Sequence, residues 1–163
     1  MKNLLVIVLL LLSVNVFGQK YGHCDVNVIA GKLPELIEIE KQVQTKTAEL
    51  EGRLQRMYEV YQKKIGEFQT SVSTMTADQQ KIAAEEIQNL EVRIQEAQQN
   101  SQMELQQYDM DLKKPLFDRV KKAIDDVSTE NGFSLVFDVS GGTVLYAGGE
   151  DVNALVLQKL GVQ

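Results

Sequence analysis

The chain has 163 residues, with 23 acidic against 17 basic side chains, a formal charge of −6, one cysteine and one histidine. The length suits one domain. The acidity argues against general nucleic-acid binding, which needs clustered lysine and arginine, and a lone cysteine excludes an intramolecular disulfide.

Lys2 precedes an apolar run from Leu4 to Val14, broken only by Ser13 and followed by Val16-Phe17-Gly18. This is the form of a secretory signal, with cleavage expected near Gly18 and Gln19 as the first mature residue. The run is short for a membrane span, and no second segment approaches the ~20 apolar residues that a span needs. An uncleaved anchor is the other reading of the same run.

Residues 21–29 read as a first strand, because Val26, Val28 and Ile29 are β-branched. Cys24 inside it reads as a small core hydrophobe. Pro34 marks a break, and no further proline occurs before Pro115. The segment 35–114 is rich in Glu, Gln, Lys, Leu and Ile. Its first half carries a seam of three- and four-residue steps: Leu36, Ile39, Val43, Thr47, Leu50, Leu54, Met57, Tyr61, Ile65, Phe68, Val72 and Met75. That spacing is a heptad pattern and predicts a long amphipathic helix.

Thr76 with Gln79 three residues later has the form of a capping box, and the Ser/Thr-rich residues 70–74 before it suit a turn. A second helix should therefore return antiparallel to the first. Its seam runs Ala83, Ile87, Leu90, Ile94, Ala97, Ser101, Leu105, Tyr108, Leu112, Leu116, Val120, Ile124 and Val127. Pro115 lies inside this pattern, so a kink is expected with the helix continuing past it. Gly132 suits the C-terminal cap.

Beyond Gly132 the period falls to two. Phe133, Leu135 and Phe137 alternate, Ser140-Gly141-Gly142 make a turn, and 143–147 read as the second strand of a β-hairpin. Asp151 is then expected to cap a short last helix with Leu155, Val156 and Leu160. The expected fold is α+β: a long antiparallel α-helical hairpin, the arm (35–114), projecting from a small β-rich body (21–34 and 115–163). Residues 19–163 form a single domain. Each arm helix runs about 40 residues, roughly 60 Å at 1.5 Å per residue. So small a body buries little core, and oligomerisation would stabilise it.

No catalytic constellation is visible. His23 and Cys24 are neighbours in a predicted strand, where alternation sends them to opposite faces. No phosphate-binding Gly-Lys-Ser/Thr loop and no His/Cys cluster with metal spacing is present. Glycine pairs 141–142 and 148–149 read as turns. Neither a cofactor nor an enzymatic activity is expected.

The chain resembles the periplasmic Skp or OmpH-like chaperone family over nearly its whole mature length. The likeness is strongest in Lys114-Pro115-Leu116-Phe117, Val120, Ala123-Ile124, Gly132-Phe133-Ser134-Leu135-Val136-Phe137-Asp138, Val144-Leu145-Tyr146, Asp151-Val152 and Leu160. Asp25-Val26-Asn27 and Lys32-Leu33-Pro34-Glu35 look like the family's first strand and helix entry. The resemblance implies a homotrimer with a β body built from three chains. It also implies an ATP-independent holdase that encloses unfolded outer-membrane β-barrel proteins between its arms. In that body Val26, Val28, Leu135, Phe137, Val144 and Tyr146 are the expected oligomer residues.

Most of the seam should be used in packing the two arm helices together. Client contacts then fall to apolar residues beside it: Tyr58, Val60, Val92, Met103 and Met110. Methionine in particular suits variable apolar partners. The chain departs from strongly basic family members. Residues 35–114 hold 10 Lys/Arg against 15 Asp/Glu, which puts the family's contacts with anionic lipid or lipopolysaccharide in doubt. A structural or adaptor coiled coil of the cell envelope, with a folded partner on its arms, is the alternative.

Overall fold

The computed structural model describes residues 19–162; the expected signal segment lies outside them. Strand β1 (Lys20–Cys24) is followed by a short helix α1 (Val26–Gly31), the long helix α2 (Pro34–Ser71) and a 3-10 turn (Val72–Thr74). Helix α3 (Ala77–Glu130), strands β2 (Phe133–Asp138) and β3 (Glu150–Asp151) and helix α4 (Asn153–Lys159) complete the order. The chain divides into two compact units. One combines residues up to Leu33 with Phe117 onward, and the other spans Pro34–Leu116.

The helical unit follows from the 3.6-residue period. Pro34 opens α2, where its fixed φ suits a first helical position and its missing N–H costs nothing. All seam positions from Leu36 to Val127 are buried or half-buried, with Ile39, Leu50, Ile94 and Leu116 the most enclosed between Pro34 and Leu116. The capping box forms as its sequence demands. Gln79 Oε1 accepts from the Thr76 N–H at 2.9 Å, and Thr76 Oγ1 accepts from the Gln79 N–H at 3.3 Å. Helix α3 continues through Pro115 and stops at Glu130, with Gly132 at φ +68°.

The other unit contains a three-stranded parallel sheet in the order β2-β1-β3. β1 lies centrally, with Tyr21 opposite Leu135 and His23 opposite both Phe137 and Asp151. The core gathers Cys24 of β1, Ile29 and Ala30 of α1, Leu33, Val120, Ala123 and Val127 of α3, Val152, and Val156 of α4. α1 packs on α4.

Two expectations fail here. First, the strand read over 21–29 ends at Cys24, so Val26 and Val28 sit on helix α1 instead of a strand. Asp25 is the cause: its side chain accepts from the Val28 N–H at 3.0 Å, an N-cap that outweighs the β-branched residues after it. Its own N–H is taken by Asn153 Oδ1 at 2.9 Å. Second, no hairpin follows Gly132. A hairpin demands antiparallel strands, but β2 runs parallel to β1. Residues 143–147, with Val144 and Tyr146, are therefore not a strand; they lie on the connection from β2 to β3, on opposite sides of β1. Asp151 does act at the start of α4, accepting from the Asn153 N–H at 2.8 Å, although Val152 is the cap position.

Candidate functional site

The helical hairpin offers the first candidate surface. Ties between α2 and α3 descend in one sequence direction as they ascend in the other. Lys46 and Arg53 reach Glu104 at 2.7 and 3.0 Å, Gln98 donates to the Tyr58 hydroxyl at 2.8 Å, and Lys64 reaches Glu86 at 2.8 Å. The helices are therefore antiparallel. Hydrogen bonds from Lys46, then Arg53, hold the Glu104 carboxyl below the usual carboxylate range. These exposed pairs add little stability in water, so their main effect is to fix register.

Tyr58, Val60, Val92, Met103 and Met110 are all exposed, Met103 to 60%. Helical spacing separates them into groups. Val92, Met103 and Met110 are eleven and seven residues apart, which returns each to nearly the same angle on α3. They form one apolar stripe about 27 Å long, from the 1.5 Å rise per residue. Tyr58 and Val60, two residues apart, face different sides of α2, and Tyr58 is tied to Gln98. Sequence reasoning passed over Ile37 and Ile82, both exposed. It also passed over a cleft of about 320 Å³ beside the turn, lined by Phe68, Met75, Ile82 and Ile87 with Lys64 and Glu86 among its polar residues. Phe68 and Met75 sit at seam positions, but the helices end at the turn and leave these two side chains on an open cleft. Only the off-seam position of Ile82 hinted at this.

The sheet unit offers the second. Alternation and register put Tyr21, His23, Leu135 and Phe137 on one face of the sheet, where Tyr21, Leu135 and Phe137 are exposed. A groove of about 350 Å³ is lined by Tyr21, His23, Phe137, Val144 and Tyr146 with Gly148 and Gly149. Thus Phe137, Val144 and Tyr146 meet at one groove, Leu135 lies on the same sheet face, and Val26 and Val28 are on α1. The His23 Nδ1 is buried with no hydrogen-bond partner.

Cys24 occupies the opposite face at 1% exposure. Burial, then the carboxylates of Asp138, Asp151 and Asp25, push its thiol up to about 11. A thiolate-selective reagent at neutral pH should leave the folded chain unlabelled and label it after denaturation; labelling at equal rates would contradict the burial. The sign for stability follows. The unfolded thiol ionises near its ordinary 9.0 while the folded thiol holds its proton to about 11. The thiol's contribution to stability is fully present below pH 9 and is lost, by on the order of 2 kcal/mol, as pH rises from 9 through about 11. Asp138 behaves oppositely. Burial opposes its charge, but the Ser140 N–H and Oγ–H and the Val26 N–H overcome that and lower its pKa.

Among the described residues no group of His, Cys, Asp and Glu is placed to hold a metal ion, and no helix is long and apolar enough to cross a membrane. The family model described as outer membrane protein (OmpH-like) matches residues 20–160. The chain belongs to the OmpH-like family. That family is one of periplasmic chaperones associated with outer-membrane proteins. A search among curated proteins found no match. The OmpH-like match covers both units, so each candidate surface lies within it.

Proposed function

We propose that the mature chain is an ATP-independent holdase of the periplasm that binds unfolded outer-membrane β-barrel proteins and prevents their aggregation. It acts as a homotrimer whose helical hairpins surround the client, after export and cleavage of the leader near Gly18. The observation that carries this reading is the exposed stripe Val92, Met103 and Met110 on a helix of an OmpH-like chain. Each contact in such a stripe is weak. Several hairpins around one client raise the effective concentration of every contact, so weak sites sum to useful avidity. Tyr58 and Val60 add apolar contacts from the other helix. Release needs no nucleotide, because a client that inserts and folds in a membrane withdraws the same apolar surface. The acidic hairpin, at 10 basic against 15 acidic residues in 35–114, leaves little attraction for anionic lipid.

The test is dilution of a urea-unfolded outer-membrane protein into buffer containing the mature chain, followed by light scattering. Stoichiometric suppression is expected, and undiminished aggregation would end the proposal. Replacing Val92, Met103 and Met110 together by serine should weaken client affinity at least tenfold with helix content unchanged, since each lost apolar contact removes about 1 kcal/mol or more. Unchanged affinity would move the client site elsewhere. Crosslinking in an extract that traps one folded partner, and no collection of barrel precursors, would favour an envelope adaptor instead.

A further inference from the structure

Gln19 is the residue that cleavage after Gly18 leaves at the front of the mature chain. It is exposed and lies outside the sheet, one residue ahead of β1. Its side-chain Oε1 accepts a hydrogen bond from the Tyr21 hydroxyl. The residue behind it ties the sheet together. Lys20 Nζ meets Glu150 of β3 at 2.9 Å and lies 4.0 Å from the centre of the Phe133 ring of β2. An exopeptidase that removed Gln19 and then Lys20 would cut both ties of the central strand.

We propose that Gln19 cyclises to pyroglutamate once the leader is gone. This rests on the cleavage reading above and adds a covalent modification to it. In the precursor the Gln19 nitrogen is an amide joined to Gly18 and is no nucleophile. Cleavage turns it into an amine. An α-amine titrates near pH ~8, so a fraction is unprotonated at neutral pH. Its lone pair adds to the carbonyl carbon of the Gln19 side chain and closes a lactam ring. The bond from that carbon to Nε2 then breaks. A proton passes from the attacking nitrogen to Nε2, which leaves as ammonia. No oxidant, reductant or nucleotide takes part. Negative charge builds on Oε1 in the tetrahedral intermediate, and the Tyr21 hydroxyl already donates to that atom. A hydrogen bond that strengthens as charge develops speeds the step. The product has no α-ammonium, the group that aminopeptidases hold. Ring closure therefore shields Lys20 and the strand that it opens.

The test uses the protein isolated from the cells that make it. Free amines of the intact chain are blocked, the chain is cut before Asp25, and the peptide 19–24 is weighed by mass spectrometry. A peptide that has lost one ammonia and carries a label only at Lys20 is expected in most molecules. A peptide of full mass, labelled at its α-amine as well, would show that the cleavage stands and the cyclisation does not. A chain that begins at any other residue would overturn the cleavage at Gly18 and this proposal together, and leave the holdase reading to its own aggregation test. The part of Tyr21 is read separately. Mature chain with a free Gln19 is made by cutting away an N-terminal fusion and is held at neutral pH. When folded, Tyr21→Phe should release ammonia more slowly by about twofold or more, the worth of a modest hydrogen bond. In urea, where the contact is lost, the two chains should react at the same rate. Equal rates in the folded state, or a difference that persists in urea, would overturn the role of Tyr21.

Discussion

Gly149→Ala should unfold the sheet unit at temperatures where the unsubstituted chain is intact. A Cβ built on Gly149 would lie 2.6 Å from the Tyr21 carbonyl oxygen, 2.9 Å from the Tyr21 carbonyl carbon and 3.2 Å from the Gly22 Cα. All three are backbone atoms of the central strand, so no side chain can swing aside. Either β3 leaves β1 or β1 is pushed off β2. Pairing with β3 is short, involving only Gly22 with Glu150 and His23 with Asp151, together with the Val152 N–H to His23 carbonyl bond at 2.9 Å. It has little to lose before it fails. Overpacking of this kind costs up to about 3 kcal/mol, a large share of a small domain's stability. Gly22→Ala makes a useful comparison. Its Cβ would meet side chains only, Phe133 at 3.0 Å and Val152 at 3.2 Å, and these can shift. Thermal denaturation should rank Gly149→Ala well below Gly22→Ala. Equal melting temperatures would show that β3 is dispensable.

Ile29→Ala should cost about 3 kcal/mol, and Val28→Ala next to it almost nothing. Ile29 is fully buried on α1 and belongs to the small core that α3 and α4 complete. Removing three of its carbons leaves a cavity in this core or forces the core to collapse around it. Val28 is exposed on the same helix. Urea denaturation separates the two. A large loss from Val28→Ala and a small one from Ile29→Ala would mean that α1 is rotated about its axis, or that Val28 is covered in an assembly.

That pair of residues also shows where reading the chain succeeds and where it stops. The helices were legible because each seam residue repeats information carried by the others. From Leu36 to Val127 the period survives Pro115, and all seam positions are at least half-buried. The turn was legible because Thr76 and Gln79 satisfy each other locally. The sheet was not. Its register pairs Lys20–Cys24 with Phe133–Asp138, more than a hundred residues away, and no local signal chooses between a parallel partner at that distance and a hairpin partner nearby. Residues 143–147 have strand chemistry, so a local reading made them a strand. Val26 and Val28 depart from the strand for another reason: the capping carboxylate of Asp25 outweighs their β-branching. Among the candidate site residues, exposure beside the seam followed from helical period. Which of them share a stripe depends on the same arithmetic carried over longer distances. The groove at Tyr21 and Phe137 depends on the non-local pairing and had no signal in the sequence.

The central position of β1 has a consequence for the order of folding. Its five residues come from the beginning of the described chain, and both of its neighbours come after residue 132. The helical hairpin contains nearly all of its own partners and can form as soon as it is complete, but β1 must wait for the chain to be finished. During that interval Lys20–Cys24 has two bare edges, and the core side chains of α1 lack their cover from α4. A chain interrupted before β2 would hold a formed hairpin with an unsheltered strand at its start, the kind of edge that other strands add to. The protein would then pass through a short period in which it presents the hazard that a holdase guards against.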